Sequence, residues 1–207
     1  MECPCCQSKS KFIFFKYDVV SASYYECESC KTLFVHEGLD QMNKVCGESE
    51  DERNRLHNDD RIGRFIYYVG INSFILDYGC GSGLLVKDAK NRWLNIDGYD
   101  LHNLEYCKLK DTHYDLVSMI EVVEHLSKPF KEFDEVYNLL EDGGILYIET
   151  SFTDTLEKPL SFNHYVNPTL GHATIFSNLG LDTLLKSKGF NRLEPINQNV
   201  RIYQKQK

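Results

Sequence analysis

Short apolar runs that each end in glycine or an acid recur along the middle of the chain. Phe74-Ile75-Leu76 empties into Asp77-Tyr78-Gly79-Cys80-Gly81-Ser82-Gly83, which predicts a buried strand, a glycine-rich turn and a helix starting near Leu84. Downstream of that helix, Asn95-Ile96-Asp97-Gly98-Tyr99-Asp100 predicts a second short strand that closes on an acid. Tyr114 to Ile120 predicts another strand, leading into Glu121-Val122-Val123-Glu124-His125-Leu126. The spacing from Pro129 to Leu140 predicts a helix, stopped by Asp142-Gly143-Gly144 ahead of a strand that runs to Thr150. Upstream, Ile62, Phe65, Ile66 and Val69 fall at helical spacing, as for a helix packed on the sheet just before its first strand. Strands alternating with helices in this way imply an α/β fold with a doubly wound, mostly parallel sheet.

In such a sheet the turn after Leu76 lies at the carboxyl edge, where ligands bind. Glycines at 79, 81 and 83 let a ligand lie against the backbone. The spacing is G-x-G-x-G with leucine at 84, so the dinucleotide pattern G-x-G-x-x-G is missed by one residue. Asp77 supplies a carboxylate where a pyrophosphate would call for amides, so an amino-acid-bearing nucleoside fits better. A plain structural bend is the alternative. Asp100, at the tip of the second strand, is placed to accept both hydroxyls of a ribose.

The front of the chain has a different character. Cys3-Pro4-Cys5-Cys6 and Cys27-Glu28-Ser29-Cys30 are two C-x-x-C knuckles. They flank alternating segments at Lys11–Tyr17 and Ser23–Glu26 that predict a hairpin. Cys3, Cys6, Cys27 and Cys30 would hold one structural Zn²⁺ with no open position, which argues against a catalytic metal. Cys5 is expected to point away, although the choice between Cys5 and Cys6 stays open. Four unliganded thiols would leave this small zinc-ribbon module with little core of its own.

Eight cysteines behind an opening Met1-Glu2-Cys3, which is no secretory leader, suggest a reducing compartment and a cytoplasmic location. The balance of 23 basic against 31 acidic residues, net −8, argues against a large nucleic-acid footprint. No apolar run approaches the ~20 residues of a membrane helix. The expected organisation is a zinc ribbon at 1–36, a polar connector at 37–60 carrying Glu48, Glu50, Asp51, Glu52, Arg53 and Arg55, and the α/β domain at 61–207.

The ordered series "ILDYGCGSG", "GYD", "YDLVSMIEVVEHL", "EDGGILYIET" and "GHATIFSNLGLDTLLKSKGF" resembles the class I S-adenosylmethionine-dependent methyltransferases, over roughly residues 60 to 207. The "EVVEHL" and "GH…FS…LL…GF" segments resemble members that act on small molecules or glycans and carry an N-terminal zinc ribbon. The resemblance implies S-adenosylmethionine bound by Asp77, Gly79, Cys80, Gly81, Gly83, Asp100, Leu101 and Glu121, and a small-molecule or carbohydrate acceptor methylated at oxygen. For a hydroxyl acceptor a general base helps, and His125 is the first candidate, with Glu121 and Glu124 close by to raise its basicity. A turn-capping histidine is the bland alternative. His172 and His164 lie in the 151–176 connection, where an acceptor pocket would be shaped, with Tyr165, Phe162 and Phe176 as candidate walls and His172 as second catalytic candidate.

One departure stands out. The stretch between Asp100 and Asp115 is too brief for the usual helix, third strand and return, so a very short strand at Leu104–Leu109 is expected and the helix is reduced or lost. That leaves the adenine contact unassigned, with Asp111 a weak candidate. Two other functions compete: a ribosomal-RNA methyltransferase that reads RNA with its zinc module, and a non-catalytic cofactor binder. The absence of an Asn/Asp-Pro-Pro-aromatic motif after Ile120 weakens methylation of a base amine.

Overall fold

The computed structural model describes residues 1–36, 52–193 and 197–207. Two sheets organise it. The larger has six strands: β4 (Phe74–Tyr78), β5 (Asn95–Tyr99), β6 (Tyr114–Ile120), β7 (Leu140–Glu149), β9 (Phe190–Arg192) and β10 (Val200–Lys205), in the order β5-β4-β6-β7-β10-β9. β5, β4, β6 and β7 run parallel, and β10 lies antiparallel to both β7 and β9. The expected doubly wound, mostly parallel sheet is therefore the fold. Tyr78 pairs with Tyr99, so β4 and β5 end level with each other. The chain turns to β5 on one side of β4 and to β6 on the other, which opens a crevice beyond the carboxyl ends.

The alternation of apolar residues along the strands builds two layers of core. Ile75, Leu116, Ile145 and Tyr147 face helix α1 (Glu52–Val69) and helix α2 (Leu84–Lys90), where Ile62, Phe65, Leu85 and Val86 are buried. The Phe65 ring meets Tyr147 edge-on, with centroids 5.2 Å apart. Leu76, Val117, Leu146 and Ile148 face the other way, onto Phe133 and Val136 of α3 (Pro129–Leu139) and Leu181, Leu184 and Leu185 of α4 (Asn178–Ser187). Burial on both faces explains why the central strands read as nearly unbroken apolar runs.

The helix seen at Ile62–Val69 begins earlier, at Glu52, while residues 37–51 of the expected connector lie outside the described residues. The strand expected at Leu104–Leu109 is absent. Residues 101–113 form only turns and bends, because so brief a stretch cannot leave the sheet edge, pair and return. Gly143 does not stop the helix either. α3 ends at Leu139, the backbone becomes extended at Leu140, and Gly143 (φ 81°) sits in an irregularity within β7 where its register against β6 shifts.

The smaller sheet is antiparallel, in the order β1 (Ser10–Lys16), β2 (Ala22–Cys27), β3 (Leu33–Val35), β8 (Thr174–Ile175). The first pair is the hairpin anticipated between the cysteine knuckles. Its fourth strand comes from the distant 151–176 connection, with Leu33 paired to Ile175. Among the described residues no helix is long and apolar enough to cross a membrane.

Candidate active site

A cleft of about 920 Å³ opens at the carboxyl ends of β4, β5 and β6, within the size range of small-molecule sites. Asp77, Gly79, Cys80, Gly81, Asp100, Leu101 and Glu121 all line it, as do His125 and His172. Gly83 is not among the lining residues. It caps α2 in a left-handed conformation (φ 74°), and a Cβ there would overlap the Tyr106 ring, so its smallness serves packing. Gly81 is the opposite case: it is left-handed (φ 54°), and a Cβ would meet nothing within 4 Å, because that position faces the open cleft.

The turn is held from the β5 side. Tyr99 O accepts from Gly79 N (2.7 Å) and Cys80 N (3.0 Å). Asp100 accepts from Gly81 N through Oδ2 (2.9 Å) and from His102 N through Oδ1 (2.8 Å), and Asn103 Nδ2 donates to Gly81 O (2.7 Å). Asp100 thus fixes the turn as well as facing the cleft. Asp111, exposed and outside the lining residues, supplies nothing here.

Asp77 is 4% exposed and accepts from Ser118 Oγ at 2.8 Å. Burial pushes its carboxyl up to about 6, with the Ser118 hydroxyl and the Arg61 charge acting against the rise. Arg61 also lines the cleft, gripped by both Glu149 oxygens (Nη2–Oε1 2.7 Å, Nε–Oε2 3.1 Å) and by Asn58 Oδ1. Burial alone would raise the Glu149 carboxyl, but the Arg61 hydrogen bonds and charge hold it below the usual value.

Beyond β6 a short 3₁₀ turn, Val123–His125, follows Glu121, whose backbone is left-handed (φ 52°), an uncommon state for a non-glycine residue. The Glu121 side chain opens into the cleft, and its carboxyl is pushed up by removal from water and by Glu124 beside it. Glu124 is 1% exposed, with a carboxylate oxygen within 4.8 Å of ring nitrogens of both His125 and His172. Its Oε1 accepts from Tyr165 Oη (2.7 Å) and its Oε2 from Thr150 Oγ1 (3.0 Å), with the two hydroxyls 2.9 Å apart. Thr150 closes the "EDGGILYIET" segment and Tyr165 lies in the 151–176 connection, and nothing local shows that they meet, because they come together only when that connection folds back.

That connection places both histidines. His125 Nδ1 lies 3.2 Å from Gly171 O, and His172 Nδ1 lies 2.6 Å from Tyr165 O. A carbonyl only accepts, so each ring carries its proton on Nδ1, and Nε2 is the accepting nitrogen. The rings meet edge-on at 4.9 Å. Burial pushes His172 below the usual histidine value. Of the other wall candidates, Tyr165 is buried, Phe176 belongs to the core, His164 is exposed, and Phe162 is 86% exposed and walls nothing.

At the front, the sulfurs of Cys3, Cys6, Cys27 and Cys30 lie within 4.8 Å of one another, with Cys3–Cys30 at 3.6 Å and Cys6–Cys27 at 3.5 Å. A tetrahedron of Zn–S bonds of ~2.3 Å puts sulfurs ~3.8 Å apart, so these residues fit a structural zinc. The two knuckles have the same build. Gln7 N bonds Cys3 O (3.0 Å) and Lys31 N bonds Cys27 O (3.1 Å), each from a left-handed residue just past the second cysteine. Amides of Cys5 and Cys30 point at Cys3 Sγ and Cys27 Sγ, as suits thiolates. Cys5 does not turn away: it is buried, with its thiol engaging Cys3 and Cys30.

A mostly parallel sheet with this strand order, a glycine turn and an acid at neighbouring strand tips, and one open cleft beyond them define a class I S-adenosylmethionine-dependent methyltransferase. The chain belongs to the methyltransferase domain family, which matches residues 51–194. Two curated relatives, the ubiquinone biosynthesis O-methyltransferases of Psychrobacter cryohalolentis and Psychrobacter arcticus, are each 28% identical over 102 residues, covering 37% of this chain and 40% of theirs. The chain thus matches about two-fifths of the length of these relatives. A methyltransferase from Archaeoglobus fulgidus has a similar fold, with a TM-score of 0.56 and 19% identity, over 82% of this chain and 100% of that one. The 1,6-didemethyltoxoflavin-N1-methyltransferase of Burkholderia thailandensis has a TM-score of 0.59 and 12% identity, over 94% of this chain and 100% of that one.

Proposed function

We propose that this enzyme methylates a hydroxyl group of a small molecule, such as a phenol or a sugar, with His125 as general base and Cys3, Cys6, Cys27 and Cys30 holding one structural zinc. The observation that carries the reading is the make-up of the cleft: an open glycine turn, two acids and a histidine pair line the same cavity. The named activity of the curated relatives, O-methylation in ubiquinone biosynthesis, supports an oxygen acceptor. The net charge of −8 supports a small molecule over RNA.

S-adenosylmethionine, when bound, supplies a methyl group on a sulfonium, already activated for displacement. The chain's work is placement. Asp100 would accept from the ribose hydroxyls through its remaining lone pairs, with Leu101 against the base. Gly79, Cys80 and Gly81 would offer backbone to the ligand, while Asp77 and Glu121 would face its charged amino-acid end. The acceptor hydroxyl would enter beside the His125–His172 pair, in line with the methyl. His125 Nε2 would take the hydroxyl proton as the acceptor oxygen gains the methyl group that the sulfonium gives up. The products are a methyl ether and S-adenosylhomocysteine. Alignment of this kind supplies about 7 kcal/mol or more.

The test is incubation with S-adenosylmethionine and pools of phenols, catechols and sugars, reading S-adenosylhomocysteine and methylated product by mass spectrometry. Tight cofactor binding with no product from any pool would leave a non-catalytic binder. Asp100→Ala is expected to weaken S-adenosylhomocysteine binding by ~1.5–3 kcal/mol in calorimetry, the loss of charged hydrogen bonds. Gly81→Val should be worse, since it sets a branched side chain at positive φ in the ligand's path. Normal binding by both variants would remove the cofactor from this turn.

A second reading rests on one observation: ligand atoms of Glu124, His125 and His172 lie within 4.8 Å of one another, the reach of a single cation. Under it, turnover rises when Mg²⁺ or Mn²⁺ is titrated into the zinc-loaded enzyme. Under the first, it does not.

A further inference from the structure

We propose that the second zinc knuckle, Cys27–Cys30, is the template for the acceptor wall, so that zinc occupancy governs the acceptor end of the cleft and leaves the cofactor end alone. The inference rests on the reading above that the His125–His172 end receives the acceptor.

The knuckle is bonded into the wall at several points. Ser177, the residue that caps α4, donates its hydroxyl to Cys30 O and receives Gly180 N at 2.8 Å. Ser177 N points to Thr32 Oγ1 (3.4 Å), which also receives the Cys30 thiol. Gly180 has no room for a side chain: a Cβ would overlap Thr32 Oγ1 outright and lie 3.3 Å from Cys30 Sγ. The first turn of α4 therefore abuts a metal-ligand sulfur. The partial positive charge at that helix end suits a zinc–tetrathiolate centre, whose four thiolates outweigh the metal by two charges.

From the knuckle the connection runs to the chemistry. β3 follows directly and pairs with β8, adding Val35 N to Ala173 O at 2.9 Å. Tyr24 Oη reaches His172 O at 3.5 Å, and Thr153 Oγ1 donates to Lys31 O. On its other side the same strand holds the turn that carries His125: Ala173 N donates to Glu124 O and Thr174 Oγ1 to Leu126 O, both at 2.8 Å. The two residues of β8 are thus clamped between the ribbon and the catalytic turn. A strand this short has little stability of its own. By contrast, the Gly79–Gly83 turn is held by Tyr99, Asp100 and Asn103, and no hydrogen bond among the described residues joins 1–36 to 77–103.

The test compares zinc-loaded protein, protein stripped with a chelator, and the joint variants Gly180→Ala and Thr32→Val, which leave all four cysteines in place. Metal analysis should find about one zinc per chain in the loaded protein and in both variants. Amide hydrogen exchange across 172–177 should speed up by ~10-fold or more on stripping, and in Gly180→Ala. Affinity for S-adenosylhomocysteine should stay within about twofold throughout. Unchanged protection of 172–177 without zinc would overturn the proposal, as would a loss of cofactor affinity in step with the loss of protection. Thr32→Val, which removes only the shared oxygen, keeps the test open if Gly180→Ala does not fold. Neither readout needs an acceptor, so failure of the hydroxyl-methylation reading would show separately, as a zinc-dependent wall without turnover.

Discussion

His125→Ala is expected to lower turnover by ~10²–10⁴-fold while S-adenosylhomocysteine binds nearly as in the wild type. The asymmetry follows from position. His125 follows β6 and not the Gly79–Gly83 turn, with its Nδ1 set against Gly171 O, so its loss removes a proton acceptor and none of the hydrogen bonds that hold the glycine turn. Wild-type turnover should fall toward acid pH, where imidazole takes up a proton and can no longer accept one. His172 is pushed down by burial and stays neutral at the pH where an ordinary histidine charges, so the acid limb should persist in His172→Gln. A flat pH profile with reduced cofactor affinity in His125→Ala would make it a positioning residue. Full activity in both variants would leave alignment as the whole of catalysis.

The triad of Glu124, Thr150 and Tyr165 belongs to the same argument. Both Glu124 oxygens accept from hydroxyls, and Tyr165 offers its backbone oxygen to His172, so the carboxylate helps hold the shape of the wall. Removing one hydroxyl from a buried carboxylate costs more than the bond itself, because the acceptor loses solvation with nothing in return.

Much of the fold was legible because its signals are local and mutually consistent. The β4 turn, the acid after β5 and the full span of β6 follow from apolar runs that end in residues suited to turns. The cysteine pairs were equally plain, since two C-x-x-C spacings need only a hairpin to meet. What stayed hidden is non-local. Cys5 has the same sequence neighbourhood whether it faces out or in, and only packing decides. Gly143 looks like any glycine after a helix, yet β7 needs it to absorb a shift in register against β6. Nothing in Thr174-Ile175 indicates that it pairs with Leu33-Phe34, near the opposite end of the chain, because that pairing depends on where the 151–176 connection folds back. The wall of the cleft is the part assembled across the longest sequence distance, and for that reason the part least readable in advance.

Asp77→Asn is expected to give a more stable protein and a worse cofactor site. In the ligand-free fold burial raises the Asp77 carboxyl from 3.8 to about 6, so the structure favours the neutral acid and resists its ionisation. Below about pH 4 the carboxyl is protonated in both the folded and unfolded chains, and its ionisation affects neither. Between about pH 4 and 6 the unfolded chain releases the proton first, so stability drains away as pH rises, and above about pH 6 the deficit is constant. At 1.36 kcal/mol per pH unit the full deficit is about 3 kcal/mol. Asparagine keeps the oxygen that Ser118 bonds and discards the charge, so its urea midpoint should match wild type near pH 3.5 and exceed it near pH 7.5. The same substitution should weaken S-adenosylhomocysteine binding by roughly 10- to 100-fold, the value of a charge-assisted hydrogen bond to the ligand's ammonium group. A stability gap that ignores pH would mean that Asp77 is not the strained carboxyl. A gap that follows pH beside unchanged affinity would mean that the strain serves something other than the cofactor. Both effects together would mark Asp77 as a group kept charged at a cost to folding, with the bound cofactor's cation as the partner that relieves it.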